Sequence, residues 1–176
     1  LFSDPALVQL GPASPIQPSI AKLVSSTRAA SSAKKYQEIK GSPLVSISKQ
    51  QALLLEKMTE QPTLAAMQHS PPSIASSINQ LYDMGATHIR AIPMYPHFSY
   101  STSTPALGKA IQQCQSLSMP ITYPSQSMST YPLYNTAIAD CIETSLNTIT
   151  SNAPDLIIFS AHGVPKSYID KGDPYI

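Results

Sequence analysis

The chain has 176 residues, enough for one domain with a real core. Hydrophobic residues make up 42% and charged residues only 12%, so part of the surface is expected to face another domain or a partner. A formal net charge of +1 excludes the basic field that nucleic-acid binding needs, and no apolar run is long enough to span a bilayer.

The chain opens on Leu1-Phe2-Ser3-Asp4-Pro5, without an initiator Met, and reads like the middle of a protein. Ser25 to Ser32 is rich in small polar residues. Gly41-Ser42-Pro43 reads as a turn before a helix. That helix is predicted over Ser46 to Met58, with Ile47, Leu53, Leu54 and Met58 apolar and Ser46 or Ser48 as N-cap. Thr63 to Gln68 is a short strand candidate. The next helix is predicted over Ser73 to Met84, with Ile74, Ile78, Leu81 and Tyr82 on one face and Gly85 as its C′ residue. A strand follows over His88 to Tyr95, with His88 at its edge. Then come a helix from about Pro105 to Leu117, a weaker strand over Ile121 to Ser125, and a helix over Tyr131 to Ile149. The continuous apolar run Asp155 to Phe159 reads as a parallel strand buried on both faces. Alternating strands and helices predict an α/β fold, a doubly wound parallel sheet flanked by helices. The seventeen prolines fall mostly between these segments, as punctuation.

The two cysteines, Cys114 and Cys141, match no metal or redox spacing. Both fall in predicted helices and read as packed, reduced thiols of a cytosolic protein, which sets a cytoplasmic location as the expectation.

In a doubly wound sheet, ligands bind beyond the carboxyl ends of the strands. Two segments meet that description. After the last strand comes Ser160-Ala161-His162-Gly163-Val164-Pro165. Its imidazole can ligate Fe²⁺ or accept a proton, or else simply bond to loop carbonyls. After the earlier strand comes Pro93-Met94-Tyr95-Pro96-His97-Phe98-Ser99-Tyr100-Ser101-Thr102. Its flat aromatic faces and hydroxyls suit a planar amphipathic ring. They equally suit a rigid loop packed on its own domain.

Taken together, these segments resemble the ferrochelatase family. Phe159 to Pro165, then Tyr168 and Lys171-Gly172-Asp173-Pro174-Tyr175, resembles the signature around that family's metal-handling histidine. Pro93 to Thr102, Tyr36 to Leu44, Phe2-Ser3-Asp4-Pro5, and Tyr131-Pro132 with Tyr134 follow in the family's order and spacing. The departures are Lys40-Gly41 in place of a longer glycine run, His97 in place of Gln, and Tyr131 where many members carry a histidine. His69 stands at a position that is often aromatic and sometimes histidine in the family.

The resemblance implies a division into residues 1–160, a first α/β domain lacking its opening strand, and residues 161–176, an active-site loop. That loop would lead to a second domain, whose glutamate faces the histidine. It implies insertion of ferrous iron into a porphyrin to form haem, with porphyrin and Fe²⁺ as substrates, no further cofactor and no nucleic acid. An iron–sulfur cluster, membrane association and oligomeric state are not legible. His162 is implied as the catalytic and metal residue, delivering Fe²⁺ or accepting a pyrrole proton. Tyr36, Ser42, His69, Tyr95, Phe98 and Ser99 are implied as porphyrin-binding. Lys35 or Arg28 as a propionate partner competes with plain solvent exposure.

Three other readings stand beside this one. Divalent metals share ligands, so a chelatase for another tetrapyrrole or for cobalt fits the same histidine. A non-catalytic tetrapyrrole-binding fragment fits the aromatic loop. An α/β hydrolase would need a G-x-S-x-G elbow, and the chain has none.

Overall fold

A computed structural model describes residues 33–149 and 156–175. Its helices are α1 (Leu44–Thr59), α2 (Ile74–Asp83), α3 (Ser103–Ser116), α4 (Pro132–Ile149) and the single turn α5 (Lys166–Ile169). Residues 33–38 form a further helical segment ahead of α1. The strands are β1 (Ile89–Arg90) and β2 (Ile121–Thr122), paired as a two-stranded sheet. Ile89 N donates to Pro120 O and Ala91 N to Thr122 O, at 2.9 and 2.8 Å. Donors and acceptors advance in the same direction, which is a parallel ladder, and α3 supplies the crossover it requires. Helices together with a small parallel sheet agree with the α/β expectation.

Four helical segments end by one device. Gly85 N donates to Tyr82 O and Ala86 N to Leu81 O, with Gly85 at φ +92°. This is the Schellman arrangement, in which a left-handed residue lets two backbone donors satisfy the last carbonyls. The same pair of bonds closes residues 33–38 at Lys40, α3 at Ser118 and α5 at Gly172, all at positive φ. At the other end of α2, Ser73 accepts from Ser76 N at 3.1 Å, satisfying one free helix donor.

The expected cap of α1 is corrected. The helix begins earlier, after Pro43, and Ser46 lies inside it, donating to Pro43 O. Ser42 Oγ accepts from Leu44 N at 3.3 Å instead. A proline at the junction fixes φ and has no N–H to satisfy.

The strands are shorter than their apolar runs. Of Thr63 to Gln68, only Met67 bridges, to Ser73. Pro93 and Pro96 beyond β1, and Pro124 beyond β2, lack the donor a ladder needs. The expected strand over 155–159 is a correction of a different kind. Residue 155 lies outside the described residues. Leu156, Ile157, Ile158 and Phe159 form no ladder and are 46–80% exposed. A continuous apolar run marks a buried strand only where neighbouring strands cover it, and no such neighbour stands among the described residues.

Two compact units share these elements. One comprises the described residues up to Ile89 together with Gly108–Ile121; the other comprises Arg90–Leu107 and the described residues from Thr122 on. In the first, Ile78, Ile89, Ala110, Cys114 and Met119 are buried. Gln113 Nε2 donates to Asn79 Oδ1 at 2.7 Å, tying α3 to α2, and Ser77 Oγ donates to Ala65 O. The predicted apolar positions of α1, namely Ile47, Leu53, Leu54 and Met58, are exposed. In the second unit the buried residues are Leu107, Ser99, Ser103 and Asp173. Cys114 is buried as expected, but Cys141 is exposed, which corrects its reading as a packed thiol.

Candidate functional site

In the second unit, the loop after β1 carries the chemistry. Tyr95 and Phe98 are half-buried and line a cavity of about 230 Å³ with Ile92, Pro93 and Tyr131. Ser103 and Leu107, four apart on α3, present one face to the same cavity. Ser127 holds the loop from one side. Its hydroxyl donates to Pro96 O at 2.6 Å and accepts from Phe98 N at 3.1 Å. Ser129 N donates to the same Pro96 carbonyl at 2.8 Å. Burial pushes the Tyr95 phenol above its ordinary 10.0, so it stays a neutral hydroxyl at the wall of an apolar cavity.

Asp173 holds the loop from the other side. It is 4% exposed, and Ser99 is 1% exposed. Asp173 Oδ2 accepts from Ser99 Oγ and from Tyr100 N, both at 2.9 Å, and Oδ1 accepts from Tyr175 N at 3.1 Å. The rings of His97 and Tyr175 meet edge to face, 5.8 Å apart, and those of Phe98 and Tyr100 at 6.4 Å. Sequence reasoning included Asp173 in a motif and gave it no role. The only local signal was the Gly172-Asp173-Pro174 turn chemistry.

The other predicted site residues are placed as follows. His162 belongs to the second unit, in an irregular exposed segment, 156–165, and does not line the cavity. Tyr36, Ser42 and His69 belong to the first unit and are all exposed. Tyr36 lies within the helical segment 33–38, where its carbonyl accepts from Gly41 N at 2.7 Å. His69 sits in the bend 68–72, beside a second cavity of about 380 Å³ lined by Gln68, Ser73 and Lys109. Lys109 Nζ donates to Gln68 O there, at 3.4 Å. Among the predicted residues, then, Tyr95 and Phe98 converge on one cavity, with Ser99 packed behind them. His88 is exposed, as expected, immediately before β1. Lys35 is exposed, while Arg28 and Phe2 to Pro5 lie outside the described residues.

Among the described residues, no three His, Cys, Asp or Glu side chains gather as a metal nest, and no helix is long and apolar enough to cross a membrane.

Comparison with known proteins gives a consistent result. The model of the family described as Ferrochelatase matches residues 1–176. The chain is similar to a ferrochelatase of Geobacter metallireducens, 33% identical over 181 residues, covering 100% of this chain and 56% of that protein. It is 34% identical over 188 residues to one of Desulfotalea psychrophila, covering 100% and 56%. It is also 34% identical over 190 residues to one of Parasynechococcus marenigrum, covering 99% and 47%. The chain spans about half the length of the curated relatives it matches.

Proposed function

Because this chain belongs to the ferrochelatase family, we propose that it serves the insertion of ferrous iron into a porphyrin, the step that makes haem. The family match over residues 1–176 carries this reading. The apolar, aromatic-walled cavity of the second unit supports it.

The reaction exchanges two pyrrole protons for one Fe²⁺, which must shed its water. His162 is the residue for that exchange. Its imidazole has a lone pair that either receives a pyrrole proton or hands over the metal, and its exposure leaves it open to both. Tyr95 and Phe98 would grip the ring. A cavity of about 230 Å³ is smaller than the roughly 300–1,000 Å³ of whole-ligand sites, so it suits one edge of a macrocycle. Neutral Tyr95 offers a hydroxyl to that edge without a buried charge. Ser99 supports the same loop from inside. Tyr36, Ser42 and His69 are assigned to porphyrin by their match to the family's segments. Two free thiols, one of them exposed, fit a reducing compartment, and the reading extends to the cytoplasm.

The test is loss of free-base porphyrin fluorescence with Fe²⁺ under anaerobic conditions. Wild type should metallate the ring, and His162→Ala should bind it without metallation. If wild type metallates no porphyrin with Fe²⁺, the reading fails; activity with Co²⁺ alone would reassign the metal.

A further inference from the structure

Asp173 is a buried carboxylate that the chemistry of His162 does not use. Burying a charge is costly unless donors answer it. Among the described residues no cation does so; instead Ser99 Oγ, Tyr100 N and Tyr175 N all point at it. We propose that Asp173 is a positioning residue: it sets the shape of the Tyr95–Ser101 loop and fastens that loop to the chain segment that carries His162. This rests on the chelatase reading above.

The placement of the carboxylate is built into the fold. Asp173 N donates to Tyr168 O at 2.9 Å and Gly172 N to Ile169 O at 2.8 Å, with Gly172 at φ +87°. This left-handed turn follows α5, whose last residue is Ile169, and aims Asp173 at residues 99 and 100. A side chain at position 172 would be strained by that φ, and its Cβ would stand 3.9 Å from Tyr100 Oη. Phe98 is therefore clamped on both sides. Ser127 holds its N–H, and Asp173 holds the hydroxyl and N–H of the next two residues. Ser101 N and the Ser101 hydroxyl extend the network to Ser99 Oγ, at 3.2 and 2.9 Å.

The pattern also forbids the closest substitute. Oδ2 accepts two donors and Oδ1 accepts a third. An asparagine would set its NH₂ against an N–H or O–H donor in either orientation. A loop freed in this way must be reordered by the ligand, which weakens binding.

The experiment uses the full-length protein with Asp173→Asn, Ser99→Ala and the double variant. Porphyrin Kd is read from fluorescence titration without iron. KM for porphyrin, KM for Fe²⁺ and Tm are measured alongside. We expect Asp173→Asn to raise the porphyrin Kd and KM about tenfold, the scale of one lost charge-assisted hydrogen bond, with KM for Fe²⁺ within about twofold. Ser99→Ala should raise Kd about threefold, and the double variant should be no worse than Asp173→Asn alone. A fall in Tm with unchanged porphyrin Kd would make Asp173 merely structural and overturn the proposal. So would effects that multiply in the double variant. If Asp173→Asn does not fold, Ser99→Ala decides, and a wild-type Kd there sinks the proposal. A wild type that binds no porphyrin ends the chelatase reading and this role together. A wild type that binds, with variants that bind equally well, ends this role alone.

Discussion

Two segments of the second unit show burial opposite to what their apolar content alone would suggest. The loop from Tyr95 to Ser101 mixes aromatics with hydroxyls and a proline, yet Ser99 is buried and Phe98 half-buried. Leu156 to Phe159 is apolar throughout, yet every one of its side chains is exposed. What fixes the loop is polar: Ser127 accepts from Phe98 N and Asp173 from Tyr100 N, so backbone donors beyond the short strand β1 are satisfied by side chains. Hydrophobicity drives burial only where the chain supplies a surface to meet it. Directional bonds to a buried carboxylate settle a conformation by themselves.

The sharpest way to break this comparison is to remove one anchor from each side. Asp173→Ala leaves three donors without their acceptor and should lower stability by roughly 3 kcal/mol in urea unfolding. Ile158→Ala, at a site 80% exposed, should change it by less than about 0.5 kcal/mol. A larger loss at Ile158 would mean that this segment is covered in solution, and the contrast would collapse.

Smaller effects are expected at the ends of α2. Gly85→Ala meets no neighbour within 4 Å, so its cost of about 1 kcal/mol would come from φ alone. Ser73→Ala removes the N-cap and should cost a similar amount, about 1 kcal/mol, in the same assay. An unchanged midpoint for Gly85→Ala would show that the helix can end without its left-handed residue.

The smallest effect is on pH dependence. Burial raises the folded-state pKa of Cys114 above 9.0 and of Tyr95 above 10.0. Across each window the native state holds a proton that the unfolded chain has lost. The contribution of these two groups to stability is therefore level below pH 9 and falls as pH rises, first through Cys114 and then, from pH 10, through Tyr95. In Tyr95→Phe the upper part of this decline should flatten, as read from urea midpoints between pH 8 and 11. An equally steep fall in the variant would mean that another group carries it.

The helices were legible because their signals are local. The Ile74-Ile78-Leu81-Tyr82 stripe and Gly85 bracket α2, and all of them lie within a dozen residues. The cap of α1 was misplaced because several serines crowd its start, and a proline junction outcompetes them all. The strand over 155–159 could not be judged because its burial depends on partners distant in sequence. The same limit hid Asp173, whose partners Ser99 and Tyr100 lie 74 and 73 residues away. A motif search finds the residues that do chemistry more readily than those that hold them in place. His162 stood out because it follows an apolar run within a long family phrase, whereas the partners of Asp173 are visible only in the fold.

The most direct measurement compares Phe98→Ala with His162→Ala in the full-length protein, reading porphyrin Kd without iron and turnover with Fe²⁺. If the loop grips the ring and the histidine performs the exchange, Phe98→Ala should weaken porphyrin binding about tenfold. His162→Ala should keep wild-type affinity and lose turnover. The reverse pattern, or a loss of affinity at His162 with Phe98 indifferent, would contradict the assignment of binding to one segment and chemistry to the other.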